Sequence, residues 1–410
     1  MFSKMLQSYL RFWASRYLKR VKPKIIAVTG SAGKTSTKEA IFAVLKVAFG
    51  DQVRRSEGNL NTVYGIPLAI LGFKKPPVPL DRSFSPWPWI PVIFVAPFKI
   101  FSNSKTKYLV LEMAADKPGD IKFTTSYVKP DIVVITNLGP AHLEIFGTME
   151  KIIAEKTELL KALSSDGWAV LNSDDANLRQ LNLDVPNLRT FAIDENADII
   201  AKNITTEIVD FKPITKFQIA IDKVKFLAET KTLGRQANVY PALAATAIGN
   251  ILGLMPKQIL DGLKNIRPEK HRLVVSAGKN GSIIIDDCYN ANPLSMRAAL
   301  DTLKVLPAKR KIAVLGDMLE LGEISREAHQ LIGQYAKEIA GEVVAVGDLA
   351  TNYNAEDNTE DNAGDHADKY FKNKKEVIDY LLKEIKVGDI LLIKASRGMQ
   401  FEEIVEALRA

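Results

Sequence analysis

The sequence predicts an α/β protein in two successive lobes: a doubly wound, mainly parallel sheet and a second, smaller α/β unit. Two observations predict it. Apolar strand-like runs alternate with helical patterns from Lys24 to about Asp194, and a second alternation of the same kind begins after Arg267 and Pro268. The chain has 410 residues, 47% of them hydrophobic, which exceeds one small domain and suffices for several cores.

The N-terminal segment 1–23 stands apart. Lys4, Arg11, Arg16, Lys19, Arg20 and Lys22 lie in it, with Lys24 just beyond and no acid among them. Leu6, Leu10, Trp13 and Tyr17 recur at helical spacing beside Phe2, Met5 and Tyr9, which predicts a basic amphipathic helix. Two readings stay open: contact with anionic lipid, or packing on the body with the basic face in water. No uninterrupted apolar core and no small-residue cleavage site suggest a signal peptide.

The first lobe is assigned to 24–267. KIIAVT precedes a helix from Lys34, KYLVLEM a helix after Pro118, DIVVIT a helix over 149–163, and WAVLN a further helix. Between 197 and 233, KFQIAI and KVKFLAET suggest a small antiparallel excursion, and helices from Asn238 and near Pro256 close the unit. Residues 76–101 interrupt it with seven prolines, two tryptophans and many large apolar side chains. The stretch 87–101 is too short and too proline-broken to span a bilayer, so contact with a membrane interface, a partner or the N-terminal helix is expected.

The second lobe, 268–410, reads RLVVSA, SIIIDD, a helix after Pro293, KIAVLG, a helix after Ser325, EVVAVG, a helix from Lys374 and DILLIKA. The acidic stretch 354–368, NAEDNTEDNAGDHAD, reads as a solvated loop. A single cysteine, Cys288, excludes an internal disulfide framework and fits a reducing compartment, the cytoplasm. The formal net charge of +7 is concentrated near the N-terminus without a recognition module, so nucleic acid is not an expected partner.

The chemistry begins at TGSAGKTSTK, residues 29–38, directly after the first apolar run. A strand, a glycine loop and a helix form a phosphate cradle: backbone N–H groups of Gly30, Ser31, Ala32, Gly33 and Ser36 face the anion, Lys34 adds charge, and Thr35 offers a hydroxyl to Mg²⁺. The expected ligand is ATP, making the first lobe a P-loop-type central ATPase domain. Only Ser31 and Ala32 separate Gly30 from Gly33, two residues fewer than the full Walker spacing. Glu112 ends KYLVLEM and His142 follows DIVVIT, so both reach the same sheet edge, where a carboxylate and an imidazole suit metal ions bridging phosphates. Asp287, Tyr289, Asn290 and Asn292 follow the strand SIIID, and Ser396 and Arg397 follow DILLIKA, as polar groups at strand ends that line a substrate site.

These runs, with GNLNTVYGIPL (58–68), VLEMAADKPGDI (110–121), ITNLGPAHLEIFG (135–147), AEKTELL (154–160), GRQANVYPALAA (234–245), DDCYNANPLSM (286–296), VLGDMLELG (314–322) and KASRGM (394–399), resemble the ATP-dependent Mur ligases. The resemblance covers 24–410 in order and implies a Rossmann-like C-terminal domain. DDCYNANPLSM and VLGDMLELG resemble the members that join D-alanyl-D-alanine to UDP-N-acetylmuramoyl-tripeptide. It implies an amide-bond ligase that activates a carboxylate as an acyl phosphate, with Lys156 as a carbamylated metal ligand, Asn238 at adenine, Arg272 at the phosphates, Asp317 at the ribose, and Asn59 on the substrate side. The alternative reading of Lys156, set below the family role, is a helix-surface lysine paired with Glu155 or Glu158.

The sequence departs from the family pattern at Ala114, at Thr62, Val63 and Tyr64, and at His271, which stands where the family has glycine. Only about two dozen residues precede the first strand, so the family's separate UDP-sugar module is expected to be absent. Three accommodations compete: the central domain binds the UDP-sugar alone, segments 1–23 and 76–101 replace the module, or the acceptor is another carboxylate, such as a lipid-linked one. A related ligase for another wall polymer or a polyglutamate, and a non-catalytic ATP-binding scaffold, are the alternative functions. Peripheral contact with the inner face of the membrane through 1–23 and 76–101 is a further expectation.

Overall fold

The computed structural model describes residues 2–77, 87–102, 105–353 and 367–410; the middle of the proline-aromatic insert, 78–86, and 354–366 of the expected acidic loop lie outside them. The first sheet holds β1 (Lys24–Thr29), β2 (Val53–Arg55), β3 (Tyr108–Glu112), β4 (Ile132–Ile135), β5 (Trp168–Asn172), β6 (Asn187–Ala192), β7 (Ile199–Val209), β8 (Lys212–Ile221) and β9 (Val224–Thr230). Their order is β2-β3-β1-β4-β5-β6-β7-β8-β9. Pairing is parallel up to β7 and antiparallel from β7 to β9, so the excursion read at 197–233 extends the main sheet itself.

β1 explains why the sheet is buried on both sides. Ile25 and Ala27 face one core, while Ile26 and Val28 face the other, and all four are essentially inaccessible. One face is covered by α1 (Phe2–Val21), α3 (Gly65–Leu71) and α4 (Ile90–Lys99). The other is covered by α2 (Lys34–Phe49) and the helices Tyr240–Ile251 and Pro256–Leu263. α1 buries Leu6, Leu10, Ala14 and Tyr17 against the body and leaves its basic side chains exposed. The insert contributes a helix: Pro91 sits in the first turn of α4, where its missing N–H costs nothing, and α4 packs on α1 through Tyr9, whose hydroxyl donates to the Ile93 carbonyl at 2.6 Å.

The second sheet is β10 (Val274–Ala277), β11 (Ile283–Asp286), β12 (Arg310–Gly316), β13 (Glu342–Val346), β14 (Lys369–Phe371) and β15 (Asp389–Lys394), in the order β10-β11-β15-β12-β13-β14. It is parallel except for β10. Helices Pro293–Val305 and Ser325–Lys337 cover one face; Lys374–Glu384 and Glu402–Leu408 cover the other. The carboxyl ends of β1, β3 and β4 in one sheet and of β11, β12 and β15 in the other border a shared cleft of about 980 Å³.

Candidate active site between the two lobes

The glycine loop leaves the sheet where Val28 pairs with Glu112 and Thr29 with Ile135. Its first turn admits only glycine: Gly30 has φ of 145°, and a Cβ there would stand 2.0 Å from Thr136 Oγ1. Asn137 braces the loop from behind, accepting the Ala32 N–H at 2.8 Å and donating to the Ala32 carbonyl at 3.0 Å. Ser31 donates to the Gly139 carbonyl at 2.8 Å. Gly33, at φ 77°, then starts α2, so that Ser31, Ala32, Gly33, Lys34, Thr35 and Ser36 line the cleft at a helix N-terminus.

Charge is packed densely behind this loop. Lys34 and Lys156 both donate to the Gly30 carbonyl, at 2.9 and 3.1 Å. Glu112 accepts from the Thr35 hydroxyl at 3.2 Å and from the Asn61 amide at 2.9 Å on Oε1. Its Oε2 is buried and lies 3.5 Å from Lys38 Nζ, yet makes no hydrogen bond; Lys38 Nζ makes none either. Burial opposes charge on Glu112, but Lys38, Lys34, the Asn61 amide and Arg272 outweigh it and hold the carboxyl below its ordinary range. Burial lowers Lys34, against the pull of Glu112. Burial and the neighbouring Lys34 lower Lys156 to about 7. The surface pairing of Lys156 does not hold: Lys156 is buried, while Glu155 accepts from the Gly119 and Ile121 N–H groups.

The second lobe reaches across to the loop through Arg272, Tyr289 and Glu320. Arg272 approaches the Thr35 hydroxyl at 3.4 Å and lies 4.1 Å over the Tyr289 ring. Tyr289 donates its hydroxyl to Asn59 Oδ1 at 2.7 Å. His142 Nδ1 meets Glu320 Oε2 at 2.6 Å, and burial only partly offsets the hydrogen bond with which His142 lowers Glu320. Behind this contact Asp287 pairs with Lys394 at 2.6 Å and accepts the Leu273 N–H at 3.1 Å. Lys394 also donates to the Asn290 carbonyl at 2.9 Å. Asn292 caps the helix Pro293–Val305 by accepting the Ser295 N–H at 2.8 Å, and Arg397 sits at the rim 3.1 Å from Glu402.

Five expected site residues lie off the lining of the cleft in this arrangement: Gly30 and Lys156, which meet behind the glycine loop, and Asn238, Asp317 and Ser396. Asn238 is fully buried and donates to the Thr232 carbonyl at 2.8 Å, with Oδ1 unpartnered. Asp317 is engaged with the Ala350 N–H at 2.7 Å. Ser396 accepts the Leu319 N–H at 2.9 Å, which places it among the braces of the loop. Conversely, Lys38, Asn61, Glu320 and Lys394 join the site although nothing local in the sequence marks them. Each lies within a run already noted, but its partner comes from a distant strand or the other lobe. His271 holds a left-handed backbone, φ 61°, which explains a preference for glycine there; its ring is pinned to Asp286 at 2.7 Å.

Residues 95–249 match the Mur ligase middle domain, and 271–397 match the Mur ligase glutamate ligase domain. The chain is 30% identical over 398 residues to the UDP-N-acetylmuramoyl-tripeptide--D-alanyl-D-alanine ligase of Bacillus subtilis, covering 96% of this chain and 78% of that protein. It is 31% identical over 399 residues to the enzyme of the same name from Buchnera aphidicola, covering 95% and 77%. The crystal structure of MurF ligase from Thermotoga maritima in complex with ADP superimposes with a TM-score of 0.79 at 28% identity, covering 98% of this chain and 83% of that one. MurF from Acinetobacter baumannii gives 0.77 at 27%, covering 97% and 79%. Because relatives of one kind run along almost its entire length and both lobes superimpose on a nucleotide-bound ligase, the chain belongs to the Mur ligase family.

Proposed function

We propose that this chain is an ATP-dependent carboxylate–amine ligase of peptidoglycan precursor synthesis that adds D-alanyl-D-alanine to UDP-N-acetylmuramoyl-tripeptide. The observation that carries the reading is the meeting of the two lobes over the glycine loop: Arg272 at Thr35 and Tyr289 at Asn59. The units are 24–267 and 268–410, with 1–23 as an appended helix.

The residues fit ATP and Mg²⁺. A threonine hydroxyl 3.2 Å from Oε1 of a buried carboxylate is a hard, oxygen-rich donor pair suited to magnesium. A glycine loop opening a helix beside Lys34 suits a polyphosphate. In this reading Gly30 to Ser36 hold the phosphates, Thr35 and Glu112 hold one metal ion, and His142 and Lys156 serve a second. Bound magnesium would neutralise charge as the phosphoryl group transfers. Asn238 and Asp317 are assigned to the adenine and ribose, which requires the lobes to rearrange on binding.

The remaining work falls to the chain's own groups. Lys34 and Arg272 draw an anionic carboxylate towards an anionic triphosphate and stabilise the charge that develops between them. A carboxylate oxygen takes the terminal phosphoryl group of ATP as the bond to ADP breaks; the dipeptide amine then forms the C–N bond of the amide as the C–O bond to phosphate breaks, and its proton passes to solvent. Lys156, lowered to about 7, presents neutral amine near physiological pH; adding CO₂ forms a C–N bond, releases one proton to water and turns a repelling ammonium into a metal-binding anion. Asp287, Tyr289, Asn290, Asn292, Ser396 and Arg397 form or brace the dipeptide side, with Arg397 suited to its carboxylate. We assign the reaction to the cytoplasm, a reading supported by a single, unpaired cysteine, Cys288. Contact with the membrane is a separate proposal.

Phosphate release should require ATP, the UDP-tripeptide and D-alanyl-D-alanine together. Turnover indifferent to the dipeptide would refute the assignment, and turnover with a lipid-linked acceptor alone would move the substrate.

A further inference from the structure

We propose that α1 and α4 form a docking face for an anionic lipid surface. The reason lies in a helix that is apolar on two sides. Trp89, Val92 and Ala96 are buried against α1 and the first sheet, as a packed helix requires. On the opposite side Trp87, Ile90, Phe94, Phe98 and Phe101 recur at three- and four-residue steps, and all are exposed, Phe94 by 72% and Phe98 by 74%. Single exposed apolar residues are ordinary on protein surfaces; a contiguous aromatic stripe is not.

Charge identifies the occupant. Residues 2–24 and 87–102 contain no acid, and Lys4, Arg16, Lys19 and Arg20 of α1 are exposed, while Arg11 lies over the Phe123 and Tyr127 rings at 5.6 and 6.0 Å. Arg20 joins the two helices, donating to the Ile100 carbonyl at 3.0 Å with its guanidinium 4.6 Å over the Phe101 ring; Arg16 lies over Phe12 at 5.1 Å. A basic rim around exposed tryptophan and phenylalanine is the composition of a helix that lies in a bilayer interface. The stripe offers one hydrogen-bonding side chain, the Trp87 indole, so it suits acyl chains and headgroups better than the polar-matched surface of a protein. No described helix is long and apolar enough to cross a membrane, so the contact is peripheral. Ser3 Oγ meets the Tyr64 hydroxyl at 2.5 Å, and Tyr64 lines the cleft, so the docked face is joined directly to the rim of the active site.

Flotation of the full chain with phosphatidylcholine vesicles, with and without phosphatidylglycerol, tests this, read together with sedimentation velocity. The chain should float with anionic vesicles and much less with neutral ones. Arg16→Gln and Lys19→Gln should each lower partitioning about fivefold, from about 1 kcal/mol per basic residue near an anionic surface. Phe94→Ser with Phe98→Ser should lower it at least about tenfold, and Trp87→Phe should remove a vesicle-induced blue shift in emission. Turnover with soluble substrates should be unchanged in every variant, which separates this proposal from the ligase assignment. Equal flotation of wild type and the double phenylalanine variant would overturn it. So would a wild type that fails to float and instead dimerises through Phe94 and Phe98, or one that neither floats nor dimerises.

Discussion

The two rims of the cleft are built on opposite principles. On the first lobe, charged groups are buried with few hydrogen bonds: Glu112 Oε2 and Lys38 Nζ make none and meet only as an ion pair at 3.5 Å, Lys38 lies 3.3 Å from Glu39, and Lys34 and Lys156 share one carbonyl acceptor. On the second lobe the polar groups facing the cleft are engaged within the protein: Asp287 on Lys394 and the Leu273 N–H, Asn292 on a helix cap, and behind them Ser396 on the Leu319 N–H. Buried charge short of hydrogen bonds is costly to fold, and a ligand that supplies them relieves that cost. Saturated groups fix geometry instead. The comparison teaches that the first rim is shaped for a charged ligand to complete, while the second is a rigid frame for one to lie against.

The sharpest break comes at Lys34. Lys34→Ala should lower phosphate release at least about a thousandfold, since removing one preorganised charge from a developing anion costs about that much in a buried site. Retained turnover would mean that the loop does not hold the nucleotide.

On the saturated rim the largest effect should be on folding. Lys394→Met leaves Asp287 buried without its cation, and breaking one side of a buried pair should cost about 3 kcal/mol in denaturant unfolding. A loss confined to activity would instead make Lys394 a ligand contact.

Lys156 sharpens the contrast through pH. Its folded value of about 7 lies below its free value of 10.5, so between these the unfolded chain binds a proton that the folded chain lacks. The penalty is complete below pH 7 and fades as pH rises towards 10.5. In CO₂-free, metal-free buffer Lys156→Met should therefore be more stable than wild type at pH 7, with the gap closing near pH 10. With ¹³C-bicarbonate and magnesium, wild type alone should show a carbamate carbon signal.

The smallest effect is expected at Asn292. Asn292→Ala removes an N-cap and should cost about 1 kcal/mol of stability, with KM for the dipeptide rising more than kcat falls.

What the sequence disclosed follows the same division. The strand, glycine loop and helix around Lys34 are local, and Glu112 is legible because it ends an apolar run beside β1. Glu320 as the partner of His142 was hidden, because the two are 178 positions apart and meet only when the lobes do. Lys38 sits in the most conspicuous run in the chain, but its burial is a product of tertiary packing. α4 was obscured by its prolines, two of which fall at its first turn and near its end, where a short helix tolerates them. Asn238 and Asp317 lie in recognisable runs, yet sequence gives no sign of how far the lobes must move to bring them to a ligand.

Nucleotide affinity measured by calorimetry with and without magnesium, in wild type and in Glu112→Gln, tests the central claim most directly. Wild type should bind more tightly with magnesium, and Glu112→Gln, if folded, should bind equally with or without it. A Glu112→Gln variant that keeps the full magnesium dependence would contradict the account.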